Sequence, residues 1–196
     1  MHISLICNQA VIQSRLREFS QAEKAIALAL DLLGENWQSE EFYPLQLAQI
    51  LNDWAEIKGA KEYEKAETNR SYIPDLSECF AIHEKALNLR EANGSHDDPI
   101  LVESRNNIGQ VLSRSGNYED ALAYFDKAKA IADGPFMSRF QPSFINVLNN
   151  NGMCLVKAGF YHDGRQEIEA ALQIALQHFN PTHPVIGKIK NNLASI

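Results

Sequence analysis

Residues Asn106–Ile131 read NNIGQVLSRSGNYEDALAYFDKAKAI, and other parts of the chain repeat this stretch approximately. Apolar residues recur at helical spacing on both sides of Gly116, a residue that can end a helix in the left-handed conformation. Ala121, Phe125 and Ala128 are four and three residues apart, so the second segment presents small residues around one aromatic ring. The stretch therefore predicts two helices joined by a tight turn.

The same pattern recurs along the chain. Gly152 follows Gly109 by 43 residues, and the pair Asn106-Asn107 returns as Asn149-Asn150 and as Asn191-Asn192. One small hairpin cannot bury its apolar stripes alone, so the repetition predicts stacked hairpins. Two weaker copies precede these, marked by Ala10, Phe19, Ala22, Ile26 and Ala29, and by Ala55, Leu76, Cys79, Ala86 and Leu89.

These residues resemble the tetratricopeptide repeat family. The G-N-Y turn at 116–118 and the alanine stripe carry the resemblance, and the NNLA and THP motifs near the C-terminal end are similar to the longer repeats of kinesin light chains. The resemblance implies an all-α fold, a right-handed α-solenoid of stacked antiparallel helix hairpins with about nine helices. Three residues depart from the family pattern: Gly164 replaces alanine, Asn151 replaces an apolar residue, and Gln13 replaces leucine.

The repeats predict one array over residues 1–196. Its units are about 1–38, 41–94, 98–134 and 141–180, followed by a closing half-unit at 183–196. The second unit carries an insertion at about 58–75, which we interpret as an overlong helix ending in a protruding loop, with disorder as the alternative. A linker is predicted at 37–42, and Phe136, Met137 and Phe140 are expected to pack over the hairpin ends or to form a small exposed apolar patch.

Composition limits the partners. The net charge of −7 argues against a sequence-independent grip on nucleic acid and against binding to an anionic membrane, because both need a basic surface. No apolar run reaches the length of a membrane-spanning helix, and the first ten residues lack a basic leader. The three cysteines have no metal-like spacing, so we expect reduced packing residues and a cytoplasmic location.

No residue pattern indicates catalysis. His96-Asp97-Asp98 precedes Pro99 and suits the start of a helix better than a cation site, and His178 and His183 show no metal-ligand spacing. A glycine-rich phosphate loop and a nucleophile with a base at diagnostic spacing are both missing from the sequence. We therefore predict a protein that is not an enzyme and that uses no cofactor and no metal.

Asparagines mark the candidate binding site. The resemblance implies that the first helix of each unit lines a concave groove, and a row of carboxamides there suits the backbone of an extended peptide. Adjacent helical residues point in different directions, so one asparagine of each pair can face the groove while the other bonds a neighbouring helix, and a purely structural role stays open. The candidates are Asn8, Asn52, Asn106, Asn107, Asn149, Asn150, Asn191 and Asn192, with Arg114 and Lys157 as cations for an acidic ligand.

These features favour a non-catalytic protein-protein interaction module that binds an extended or helical peptide segment of another protein. The alternative is a regulatory or sensor segment of a larger signalling protein. The end helices are further candidates for pairing in a homodimer.

Overall fold

The computed structural model describes residues 3–34, 43–95, 98–132 and 142–196. In those ranges the chain forms nine α-helices and no strand. The predicted linker at 37–42, His96, Asp97 and the apolar residues Phe136, Met137 and Phe140 lie outside the described residues. The helices are α1 (Ile3–Arg15), α2 (Phe19–Leu32), α3 (Pro44–Thr68), α4 (Ser77–Asn93), α5 (Pro99–Arg114), α6 (Tyr118–Ala132), α7 (Pro142–Lys157), α8 (Tyr161–His178) and α9 (Pro184–Ala194).

The helices fall into two compact units, Met1–Ser95 and His96–Ile196. In the first unit α1 pairs with α2 and α3 with α4, and α3 also packs against both helices of the first hairpin. Its core consists of buried aliphatic residues such as Ile6, Ile26 and Ile50 around fully buried alanines. The prediction of a single array over the whole chain stays a prediction.

In the second unit α5 pairs with α6, α7 with α8, and α9 packs against α8. Gly116 and Gly159 have φ values of +84° and +95°, so each turn uses the left-handed conformation that glycine adopts without strain. In the first hairpin the Phe125 ring is fully buried, and a Cβ at Gly109 would lie 2.7 Å from it. The glycine therefore makes room for the ring.

In the second hairpin of this unit the backbones of α7 and α8 approach each other closely. A Cβ on Gly152 would lie 2.6 Å from the carbonyl oxygen of Gly164, and a Cβ on Gly164 would lie 2.6 Å from the carbonyl oxygen of Gly152. The departure from alanine at Gly164 follows from this contact, because neither backbone leaves space for a methyl group.

The insertion extends α3 to Thr68, which agrees with the predicted overlong helix. The loop 69–76 does not stand away from the helix, because the Tyr72 hydroxyl and the Asp75 backbone N–H both donate to the Glu62 carboxylate. The extension also reaches the turn between α1 and α2, where Glu67 accepts a 2.6 Å hydrogen bond from Arg17. Hydrogen bonds thus hold both the end of the extended helix and the loop that follows it.

Candidate functional site

In the compact unit His96–Ile196, hydrogen bonds between asparagine carboxamides link the first helices of successive hairpins, α5, α7 and α9. Asn192 Nδ2 of α9 donates to Asn149 Oδ1 of α7 at 2.9 Å, and Asn150 Nδ2 of α7 donates to Asn106 Oδ1 of α5 at 2.9 Å. Weaker bonds of 3.4 Å join the members of a pair, from Asn149 to Asn150 and from Asn106 to Asn107. We call these five residues the carboxamide ladder.

Burial divides the ladder residues into two groups. Asn106 and Asn149 are buried, with exposures of 7% and 1%, whereas Asn107, Asn150 and Asn192 are half-buried. Buried Asn106 and Asn149 each accept a bond from the next first helix, but the half-buried donors Asn150 and Asn192 thereby bond a neighbouring helix as well, so the groove-facing role of one asparagine in each pair stays a prediction. The accessible members form one row from α5 to α9, which we call the ladder row.

The ladder row retains hydrogen-bonding capacity. A carboxamide offers two N–H donors and two acceptor lone pairs, and the ladder uses one donor and one lone pair of Asn150 and one donor of Asn192. Both side chains reach the surface. A donor and an acceptor on one planar group match the N–H and C=O that an extended backbone presents.

Cations lie beside the row. Arg114 and Lys157 are exposed at the ends of α5 and α7, and Lys188 lies four residues before Asn192, on the same side of α9. The pKa of Lys188 is lowered, chiefly by removal of its ammonium group from water and then by the charge of Arg114. The charge of Arg114 therefore acts on the Lys188 ammonium group, and a carboxylate bound near both cations would reduce their repulsion. Sequence reasoning missed Lys188, although its spacing from Asn192 was a signal.

The unit Met1–Ser95 has a different arrangement at the matching positions. There the Cys7 thiol hydrogen-bonds to Asp53, and burial followed by the charge of Asp53 raises the pKa of Cys7 to about 11. Asn52 is buried and donates to Glu56 Oε1 at 3.2 Å, which is a structural use of its carboxamide. Asn8 is exposed on α1. Asn8 and Asn52 are therefore not members of the carboxamide ladder.

Asp53 belongs to a buried polar network that the sequence did not suggest. Gln49 Nε2 donates to Asp53 Oδ1, and Arg90 Nη2 of α4 donates to Gln49 Oε1, both at 2.9 Å. His83, about two turns before Arg90 on α4, is 3% exposed, and burial followed by the charge of Arg90 lowers its pKa to about 4. His83 occupies the position of Phe125 in the next hairpin, 42 residues earlier.

The described residues contain no group of three or more histidine, cysteine, aspartate or glutamate side chains that could hold a metal ion. Cys7, Cys79 and Cys154 are buried free thiols, as expected for packing residues. Among the same residues no helix is both long and apolar enough to cross a membrane. What the site offers chemically is hydrogen bonding and positive charge.

Paired antiparallel helices with glycine turns and small-residue seams define a helical-repeat protein. Residues 75–133 match the family model described as "Tetratricopeptide repeat", and the resemblance predicted from the sequence is thereby confirmed. The search of the curated proteins found no match.

Solved structures give the fold of the whole chain. BtubC (BKLC) from P. vanneervenii has a TM-score of 0.74 at 17% identity, with 98% of this chain and 70% of that chain covered. A kinesin-light-chain candidate of Podosopora anserina with nearly identical TPR-like repeats has a TM-score of 0.70 at 13% identity, covering 100% and 86%. A variant of that protein with one substitution has a TM-score of 0.71 at 12% identity, covering 98% and 84%. The chain therefore has the tetratricopeptide-like solenoid fold that the sequence predicts.

Proposed function

We propose that the protein is a non-catalytic interaction module that binds an extended peptide segment of another protein along the ladder row. The observation that supports this most strongly is the arrangement of Asn107, Asn150 and Asn192 on three successive first helices, each set in place by hydrogen bonds. Buried Asn106 and Asn149 fix these carboxamides before a ligand arrives, so little side-chain entropy is lost on binding.

The cations beside the row favour a segment with acidic side chains. Lys188 is exposed on α9 and its pKa is lowered by desolvation and in part by the charge of Arg114, so a carboxylate near both cations would gain from both. Lys157 adds a third exposed cation on the intervening helix α7. In a chain of net charge −7, a local concentration of positive charge is a feature that an acidic ligand would recognise.

The test is enrichment of a displayed library of random ten-residue peptides on the full chain, followed by fluorescence polarisation with an enriched peptide. We expect acidic residues in the enriched sequences. We also expect a tenfold or greater loss of affinity, about 1.4 kcal/mol, in the double variant Asn150→Ala plus Asn192→Ala. Arg114→Glu plus Lys188→Glu should lose binding and reverse the charge preference.

Two further variants separate binding from folding. Met153→Glu lies one turn beyond Asn150 and adds negative charge without removing a ladder bond, so it should weaken an acidic peptide in a fully folded chain. Asn191→Ala removes an exposed carboxamide from the same helix as Asn192 and should bind normally. Enriched peptides that bind the asparagine double variant and Met153→Glu as tightly as the wild type would refute the proposal.

The remaining parts of the proposal follow from the kind of surface. A module of this kind needs no cofactor, metal, nucleic acid or membrane, and we place it in the cytoplasm, where its thiols stay reduced. The alternative function, a regulatory or sensor segment within a larger signalling protein, uses the same row to detect its ligand. A second copy of the chain is a further proposed partner, through the end helices.

A further inference from the structure

The α1–α2 hairpin carries two mostly apolar seams whose leucine and isoleucine side chains are exposed, whereas Ala25 packs against the core. On the first helix the seam is Leu5, Gln9, Ile12 and Leu16, spaced four, three and four residues apart. The Leu16 N–H still bonds the Ile12 carbonyl, so the helical geometry continues to the last of these residues. This spacing is that of the a and d positions of a coiled coil.

The second helix repeats the pattern. Its seam is Gln21, Ala25, Leu28 and Leu32, again spaced four, three and four residues apart. The two seams are neighbours, because Gln13 Nε2 of α1 donates to Gln21 Oε1 of α2 at 3.1 Å. Together they form one surface of the hairpin, which we call the outer hairpin face.

The outer hairpin face is exposed and uncharged. Leu5, Ile12 and Leu16 are 62%, 57% and 64% exposed, and Leu28 and Leu32 are 42% and 46% exposed. Single exposed leucines are ordinary, but five large aliphatic side chains on one hairpin make a patch that needs an explanation. None of the eight seam residues is charged, although charged residues make up 22% of the chain.

We infer that the outer hairpin face binds the same face of a second copy, so that α1 and α2 of both copies form an antiparallel four-helix bundle with two-fold symmetry. Coiled-coil spacing on both helices of an antiparallel hairpin is the pattern that such a bundle requires. A two-fold interface must be complementary to itself, and an uncharged surface meets that condition in a chain whose net charge of −7 otherwise repels a second copy.

The face is small for a dimer interface. Standard interfaces bury about 800 Å² per partner. Two short helices with eight seam residues are expected to bury no more than that. Gln9 and Gln21 place polar groups in the seams, which fixes the register and weakens the association. We therefore expect a dissociation constant in the micromolar range.

Sedimentation equilibrium of the full chain, from about 5 to about 500 μM, tests the inference. The expected result is a rise in mass from 22.0 kDa to twice that value, with no larger species. Ile12→Glu plus Leu28→Glu should stay monomeric at every concentration, with unchanged helical content by circular dichroism. The matched control is Leu176→Glu, which changes a 47% exposed leucine on α8 and should dimerise like the wild type.

A variant that strengthens association tests whether misfolding, and not a lost interface, explains the monomeric state of the glutamate variants. Gln9→Leu completes the apolar seam of α1 and should tighten the dimer about tenfold. A wild-type mass of 22.0 kDa throughout would overturn the inference and leave the face to a helix of another protein, as would a Leu176→Glu chain that is also monomeric. The inference deepens the self-pairing part of the proposed function. The mass is measured without peptide, so a failure of the dimer inference would not contradict peptide binding.

Discussion

In the unit His96–Ile196 carboxamides form hydrogen bonds between first helices, whereas in Met1–Ser95 the hydrogen bond at the equivalent place joins Cys7 to Asp53. A carboxamide is both a donor and an acceptor, so a row of asparagines can continue hydrogen bonding from one helix to the next without carrying charge. A carboxylate only accepts, and Asp53 needs a donor from Gln49, which in turn is held by buried Arg90. Asparagines can therefore form a hydrogen-bonded row across several helices, whereas Asp53 belongs to a local network with Gln49 and Arg90.

The comparison extends to the second helices. The stripe that contains Phe125 and Ala132 in one unit contains His83 and Arg90 in the other. The apolar version contributes packing at any pH, while the polar version holds a neutral imidazole next to a buried cation. Four predictions test these differences, beginning with the largest expected effect.

The largest expected effect concerns the close contact between α7 and α8 in the unit His96–Ile196. Gly152→Ala would place a methyl group 2.5 Å from Ile168 Cγ1 and 2.6 Å from the Gly164 carbonyl oxygen, so α7 and α8 must separate. We expect a loss of about 3 kcal/mol or more in the free energy of unfolding, measured by denaturant titration. The matched control is Gly187→Ala on α9, where a Cβ meets nothing within 4 Å and the helix gains up to about 1 kcal/mol. A stable Gly152→Ala protein would disprove the close approach.

The polar stripe of Met1–Ser95 makes that unit sensitive to acid. His83 has a pKa of about 4 in the folded chain and about 6.5 when unfolded, so the unfolded state binds a proton first as the pH falls. We expect the contribution of neutral His83 to the free energy of unfolding to be fully present above pH 6.5. Between pH 6.5 and pH 4 the free energy of unfolding, measured at each pH, should decrease by about 3 kcal/mol.

His83→Phe introduces the residue found at the equivalent position, Phe125, and is the control for this pH dependence. The substituted chain has no imidazole to protonate at this site, so its stability should change less over the same range. Equal slopes for the wild type and His83→Phe would show that other groups cause the acid sensitivity.

The hairpins, the glycine turns and the asparagine pairs could be predicted because each follows from local spacing along one or two helices. Lys188 could be found only in part, since its spacing from Asn192 is local but the effect of the Arg114 charge on it depends on the tertiary structure. The same holds for His83, whose burial next to Arg90 has no local signature.

The departures from the repeat pattern proved informative. Gly164 is explained by the backbone contact with Gly152. Gln13 and Asn151 each have a buried side-chain oxygen that finds no hydrogen-bond partner among the described residues. Such atoms destabilise a fold, so a substitution toward the family pattern is expected to be tolerated at both positions. Sequence comparison identifies these positions, but only the packing tells which departure is compensated.

The ladder itself is tested by Asn149→Ala. Asn149 is 1% exposed, and its removal deprives Asn192 Nδ2 of an acceptor and Asn150 Oδ1 of a donor, which costs about 2 kcal/mol in unfolding free energy. Cys7→Ala removes a single bond in the other unit, where Gln49 still holds Asp53, and should cost about 1 kcal/mol. The exposed Asn191→Ala is the control. If thermal denaturation shows equal losses for Asn149→Ala and Asn191→Ala, the ladder contributes nothing to stability.

The smallest effect concerns the turn where the units share a left-handed backbone conformation but differ in the residue that adopts it. Arg17 has a φ of +64° at the position where the later hairpins have Gly116 and Gly159, and its guanidinium group pairs with Glu67 and Glu64 of the α3 extension. Left-handed backbone favours glycine, while exposed ion pairs contribute little, so Arg17→Gly should raise the melting temperature slightly.

Hydrogen exchange in Arg17→Gly should at the same time become faster near Glu67, because the end of α3 loses its attachment. Salt screens the ion pairs in the wild type and should produce the same faster exchange there, but no further change in Arg17→Gly. A lower melting temperature in Arg17→Gly would mean that the ion pairs outweigh the backbone strain, and that the insertion stabilises the hairpin it touches.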